Sequence, residues 1–263
     1  MKTTISKIVT GSFIAIAAMT MSSCEKDLSN SENMRYASII DVAGDGTTSV
    51  MHSNMQQAFV ETAALTETEL ASLVKIKDEE KLARDVYAAL YQKWASPVFS
   101  RITNAENNHL SAINLLLAYY GSSDTLIGEV GVFTNAEVQA LYNNLVSAGS
   151  TTIEDAYKTG ALIEEMDIND LQNVIATTSN ANITMVMENL ERGSRNHLRA
   201  FNKQLVTLGI TYVPTYISQS AYDQIVNSSI EKGKNYMMQG NGKGHGKGKG
   251  KMRNGNGDGS CNN

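Results

Sequence analysis

TETELASLVKIKDEEKLARDVYAALYQKWASPVFSRITNAENNHLSAINLLLAYY, residues 66–120, is the stretch on which the fold turns. It opens on Thr66-x-x-Glu69, a capping box in which a hydroxyl and a carboxylate each satisfy a backbone N–H left without a partner by the first helical turn. No proline or glycine interrupts the run until Ser96-Pro97, an N-cap followed by a proline at the first helical position. Helices are therefore expected at 66–94 and 97–120, and a link of two or three residues forces them to lie antiparallel. Downstream, Thr134-x-x-Glu137 and Thr151-x-x-Glu154 repeat the box. They mark a short helix near 134–147 and a long one near 151–178, followed by a fourth long helix at 181–208. Pro97 is the only proline between Thr66 and Gly209, and no period-two alternation is sustained, so the domain reads as all-α. The last two long helices are again joined by two or three residues, whereas the link from Gly121 to Ser150 is long. The expected architecture is a four-helix bundle of two hairpins joined by one long crossover that contains the short extra helix.

Each long helix has one apolar stripe at the spacing of a buried face, and each stripe is broken by a polar residue. The first runs Leu73, Ile76, Glu80, Ala83, Tyr87, Leu90, and the second Ile102, Glu106, His109, Ile113, Leu116. The third runs Tyr157, Ala161, Glu164, Ile168, Leu171, and the fourth Ile183, Met187, Leu190, Ser194, His197, Phe201. All four interruptions fall near the middle of their helices, which places them at one level of the bundle. An uncompensated buried carboxylate costs several kcal/mol, so three carboxylates and two imidazoles meeting there require cations, protons or one another. Glu-x-x-His on one helix face sets the two side chains about 5 Å apart, so the Glu can bridge two ions while the His binds one. Oxygen-rich ligation with two imidazoles suits iron or manganese better than zinc or copper. Arg84 and Arg195 are the candidates to neutralise such a layer if no metal is bound.

The order Glu80, Glu106-x-x-His109, Glu164, His197 resembles that of the ferritin-like di-iron carboxylate superfamily. The stretches from Glu79 to Tyr87, from Ile163 to Ile168 and from Gly193 to Phe201 are more closely similar to a ferritin-like subgroup, domain of unknown function 2202, over about Leu65 to Gly209. The resemblance implies a ferritin-like bundle whose metal ligands are Glu80, Glu106, His109, Glu164 and His197, with Glu165 as an additional candidate and Ser194 and Tyr87 as supporting residues. It implies iron, with manganese as the other fitting metal, and oxidation of ferrous iron by oxygen or peroxide, a ferroxidase-like activity. One position departs from the superfamily pattern: Ser194 stands where a second Glu-x-x-His would place its Glu, leaving five ligands for six. Glu191 does not replace it, because six residues before His197 is a rotation of about 240° around the helix. The other expectation is a metal-free ferritin-like scaffold, serving as a surface binding or interaction module.

The chain has 263 residues with 22 Lys+Arg against 27 Asp+Glu, and its two ends read as address and tail. Two cysteines exclude a disulfide scaffold and a thiolate zinc site, and a polytopic membrane protein is excluded by the lack of further long apolar runs. Lys2 and Lys7 precede an apolar run from Ile8 to Met19, as in a secretory signal peptide spanning 1–23. Met21-Ser22-Ser23-Cys24 resembles a bacterial lipobox, which implies a lipoprotein tethered to a membrane through Cys24 and working in the cell envelope, outside the cytoplasm. Residues 24–64 read as a flexible linker, 65–230 as the helical domain with its C-terminal extension, and 231–263 as a disordered tail rich in Gly and Lys. From Gly240 onward five Lys/Arg face one Asp, +4, so the rest of the chain carries −9 of the total −5. Such a tail suits weak contact with polyanions, and no specific nucleic-acid binding is expected. His52 and His245 fall in linker and tail and are assigned no role.

Overall fold

The computed structural model describes residues 40–42, 48–122 and 128–232. Residues 1–23, where a signal peptide is expected, Cys24, and the Gly/Lys-rich tail with His245 lie outside the described residues. Strands β1 (Ile40–Val42) and β2 (Thr48–Val50) pair antiparallel, with Ile40 opposite Val50. Helices follow as α1 (His52–Ala58), α2 (Glu67–Trp94), α3 (Pro97–Tyr119), α4 (Ala136–Gly149), α5 (Ile153–Thr177), α6 (Ala181–Thr207) and α7 (Gln219–Val226). Four of them, α2, α3, α5 and α6, form the expected all-α bundle, and α4 is the short helix of the long crossover. Around the bundle α2 packs on α3, α3 on α6, α6 on α5 and α5 on α2. No helix among the described residues is long and apolar enough to cross a membrane.

Local signals set the helix starts, with two shifts. The Thr66 box closes as expected: Glu69 N–H donates to Thr66 Oγ1 at 3.1 Å and Thr66 N–H to Glu69 Oε2 at 3.0 Å. The two later boxes each start one residue further on. Asn135 rather than Thr134 caps α4, accepting from Glu137 N–H at 2.9 Å, and Thr152 rather than Thr151 caps α5, accepting from Asp155 N–H at 3.1 Å. In both places the neighbouring residue is an equally good cap, so the local code allows either register. Ser96 makes no side-chain cap; its hydroxyl lies 2.9 Å from the hydroxyl of Tyr157 on α5.

The apolar interior comes in two parts. Leu73 and Ile76 of α2, Ile113 and Leu116 of α3, Leu171 of α5 and Ile183, Met187 and Leu190 of α6 pack at one end. Val86, Tyr87 and Leu90, Phe99 and Ile102, Tyr157 and Ala161, and Leu198, Phe201 and Leu205 pack at the other. In sequence, the polar interruptions of α2, α3 and α6 fall between the two sets.

The reading of 24–64 as a flexible linker needs correction at its C-terminal end. Met55 and Ala58 of α1 are buried in the bundle, and Asn182 brackets Val60, accepting its N–H at 3.0 Å and donating to its carbonyl at 2.9 Å. His52 Nε2 lies 2.6 Å from Ser111 Oγ of α3. Average polarity suggested a tether, but two apolar residues three apart are enough to dock one short helix. The crossover is docked as well: Lys81 reaches Asp85 at 2.7 Å and donates to the carbonyls of Glu129 and Val132 at 2.8 and 3.1 Å.

Candidate metal centre

Glu80 of α2, Glu106 and His109 of α3, Glu164 of α5 and His197 of α6 meet at mid-bundle, each at most 1% exposed. Their ligand atoms form two overlapping triads, Glu80–Glu106–His109 and Glu106–Glu164–His197, and within each triad the atoms lie within 4.8 Å of one another. Glu106 belongs to both. One of its oxygens is 2.8 Å from His109 Nδ1 and the other 2.9 Å from His197 Nδ1, so each triad receives one carboxylate oxygen and one imidazole nitrogen. His109 Nδ1 is also 3.0 Å from Glu80 Oε2, and His197 Nδ1 is 3.4 Å from Glu164 Oε2. The two imidazoles stack with their centres 5.3 Å apart.

The layer is only partly satisfied by hydrogen bonding: His109 Nδ1 bonds to Glu80 Oε2, and most of the other polar atoms are left over. Among the described residues, both oxygens of Glu106, Glu80 Oε1, Glu164 Oε2 and both nitrogens of His197 have no hydrogen-bond partner of acceptable geometry, despite the short separations. Carboxylate oxygens and imidazole nitrogens that converge at short range without hydrogen-bond geometry between them are arranged as ligands are around an ion. Two imidazole nitrogens with an excess of carboxylate oxygens fit a pair of iron or manganese ions.

Electrostatics lead to the same requirement. Burial, the repulsion of Glu106 and the opposing pull of His109 together leave the Glu80 carboxyl pushed up to about 8. Burial raises Glu164 too, with His197 offsetting part of the effect. Burial also acts on Glu106, but His197 and His109 outweigh it and hold that carboxyl well below the usual range. Burial would lower His197, yet Glu106 and Glu164 carry it up to about 9, and Glu80 and Glu106 raise His109 in the same way. Without a metal, protons must neutralise the layer, since the two arginines suggested for that role are engaged elsewhere. Arg84 pairs with Asp85 at 2.7 Å, and Arg195 with Glu191 and Glu231 at 2.6 Å each.

The flanking residues divide into those that support the layer and one that leaves it. Tyr87 is fully buried and donates to Glu164 Oε1 at 2.6 Å, fixing that carboxylate. Ser194 is buried beside His197 but donates its hydroxyl back to Leu190 O at 3.3 Å, so it adds no sixth ligand. Gly193 faces His109: a Cβ there would collide with Nε2 and stand 2.7 Å from Cε1. Neither imidazole finds a partner for Nε2 among the described residues, unlike most metal-bound histidines. Glu165 points away from the layer. Its carboxylate accepts the Tyr212 hydroxyl at 2.5 Å and the backbone N–H groups of Thr215, Tyr216 and Ile217 at 2.7, 2.9 and 3.3 Å. One residue along a helix is about 100° of rotation, which carries Glu165 to the face where the chain after α6 returns.

The sequence reading did not include Asp167. It is 5% exposed, its Oδ2 has no partner among the described residues, and burial together with the charges of Glu80, Glu164 and Glu106 raises its carboxyl well above the usual range. The signal was available: Glu164-x-x-Asp167 repeats on α5 the three-residue spacing of Glu106-x-x-His109. It stands off the 4-3-4 stripe, which selected Ile168 instead.

Comparison with known proteins matches residues 69–229 to the uncharacterized protein domain DUF2202. The chain is 44% identical over 172 residues to the uncharacterized protein MJ0754 of Methanocaldococcus jannaschii, covering 65% of this chain and 93% of that one. The crystal structure of the hypothetical protein MJ0754 from Methanococcus jannaschii superimposes with a TM-score of 0.63 at 41% identity, covering 66% of this chain and 99% of that chain. The matched span contains every residue of the buried layer and runs on through the segment clamped by Glu165 and through α7. The chain belongs to the DUF2202 family.

Proposed function

We propose that this protein binds a pair of iron ions, or of manganese, at the two triads that share Glu106, and that it belongs with the ferritin-like di-iron carboxylate proteins. The observation that carries this reading is the sharing itself: each oxygen of Glu106 faces a different imidazole, while Glu80 and Glu164 supply one further carboxylate to each side. Glu106 would bridge, His109 and Glu80 would hold one ion, and His197 and Glu164 the other. Tyr87 would keep Glu164 oriented by its hydrogen bond. Bound iron would supply the redox chemistry, oxidation of the ferrous ion by oxygen or peroxide. The protein's part is to fix the carboxylates, exclude bulk water behind two apolar layers, and take up or release the protons that the buried carboxyls exchange for metal. The signal-like N-terminus and Cys24 support placing this activity on a lipid-anchored envelope protein.

The test is metal content by mass spectrometry on the full-length protein purified without chelator, followed by anaerobic titration with ferrous iron. About two ions per chain, lost in Glu106→Ala and in His197→Ala with helicity retained, is the expected result. The partnerless Nε2 atoms and Ser194 favour the other reading, a bundle that keeps the fold as a binding scaffold without chemistry. A well-folded wild-type protein that ignores ferrous iron would decide for that reading.

A further inference from the structure

Outward from the buried layer, α2 and α5 present a second set of carboxylates that metal binding itself does not use. On α5, Glu164, Asp167 and Asp170 recur every three residues and so follow one another along a single face with a drift of about 60° per step. On α2, Glu79 directly precedes Glu80. Exposure falls steadily inward. The side chains of Asp170 and Glu79 are 21% and 15% exposed, Asp167 is 5% exposed, and Glu80 and Glu164 are 1% and 0%. Asp167 lies within electrostatic reach of Glu79 on its outer side and of Glu80 and Glu164 on its inner side, and Glu79 is within hydrogen-bonding reach of Asp170.

Two observations give this ladder a ligand. Asp167 Oδ2 and Glu79 Oε2 are both shut off from solvent and have no hydrogen-bond partner among the described residues, which is costly for a carboxylate unless a proton or a visiting cation neutralises it. At the outer end a cation is already in place: Lys75 Nζ sits 2.9 Å from Asp170 Oδ2 and 3.1 Å from Glu79 Oε1, on a side chain that is 60% exposed. An ammonium held by two carboxylates marks a position that a hydrated metal ion would also prefer, and an exposed ion pair is released at little cost.

We propose that Asp170, Glu79 and Asp167 form the route by which a divalent cation enters between α2 and α5, with Lys75 at its mouth as an exchangeable ammonium that the incoming ion displaces. The proposal rests on the metal-binding reading of the buried layer and adds to it a direction of entry. Carboxylates lining a low-dielectric cleft raise the local concentration of cations and speed their arrival.

Stopped-flow mixing of the full-length protein with cobalt(II), followed by its ligand-field absorption, reads the loading rate, and equilibrium titration with the same ion reads the stoichiometry. The double variant Glu79→Gln, Asp170→Asn is expected to load about tenfold more slowly with unchanged stoichiometry, the lower end of such steering effects. Lys75→Met is expected to load faster than wild type, and Glu154→Gln, which alters an exposed carboxylate at the start of α5, to load at the wild-type rate. A double variant that loads at the wild-type rate, or a slower Lys75→Met, would overturn the route while leaving the buried site intact. A wild-type protein that takes up no cobalt would overturn the site and the route together.

Discussion

Gly193 determines whether His109 can occupy its place in the buried layer. A methyl group there would overlap the imidazole, and the backbone of a bundle helix cannot retreat without disturbing the Ser194 and His197 turn beside it. Gly193→Ala is therefore expected to destabilise the metal-free protein by about 1–3 kcal/mol, the usual cost of overpacking, and to weaken metal binding by displacing one imidazole. Thermal unfolding with and without ferrous or manganous ion checks both effects. A variant that gained stability, as an ordinary Gly-to-Ala change inside a helix does, would show that the ring stands elsewhere. At this scale five candidate ligands were legible because a polar residue interrupting an apolar stripe is conspicuous. Asp167 was not, because its direction into the core depends on how α5 is rotated against α2. Glu165 is the converse case, a carboxylate next to a candidate ligand, with partners that come from a segment about 50 residues away.

Among the elements, the helix starts follow local chemistry and the docked segments do not. The Thr66 box forms as written, while α4 and α5 take the neighbouring cap. Ala95 closes α2 at φ 51°, the left-handed conformation that lets two residues turn the chain into α3. Glu165 has the larger structural task of holding the 212–217 segment to α5 through one hydroxyl and three backbone N–H groups. Replacing it with Gln keeps the size but removes the charge from those bonds, and hydrogen bonds to a charged group are each worth about 1.5–3 kcal/mol. We expect Glu165→Gln to lower stability by about 2 kcal/mol, judged from that range, with metal stoichiometry unchanged. Denaturant unfolding and a metal titration on the same preparation check this. Loss of metal with stability retained would return Glu165 to the list of ligands.

For the molecule as a whole, a polar layer between two apolar clusters couples stability to protons. Burial and the neighbouring Asp170 carboxyl push Glu79 up to about 8, burial does the same for Glu80, and the ordinary value for both is 4.5. His197, despite burial, is carried by Glu106 and Glu164 to about 9 from 6.5. In all three the folded chain binds more protons than the unfolded chain. Their contribution to stability is therefore fully present below the unfolded values and is lost as pH rises through about 8 to 9. A metal at the buried layer would require two of these groups, Glu80 and His197, deprotonated, so its affinity is expected to rise over that window. The expected outcome is a melting temperature that falls between pH 6 and 9 in chelator, and a gap between metal-loaded and metal-free protein that widens with pH. A gap that is constant across this range would show that the metal, if bound, does not displace these protons.

The sequence by itself determined the bundle. Helix lengths, caps and link lengths are local quantities, and two short links with one long one leave few ways to bury four apolar stripes. It also determined the level at which Glu80, Glu106, His109, Glu164 and His197 meet, because depth along a helix is counted in residues. The tertiary structure decided which way the neighbours of those residues face. It turned Asp167 inward and Glu165 outward, engaged Arg84 and Arg195 away from the layer, and docked α1 through Met55 and Ala58. Each of these depends on the rotation of one helix against another or on a partner distant in sequence, and periodicity along a single helix carries no information about either.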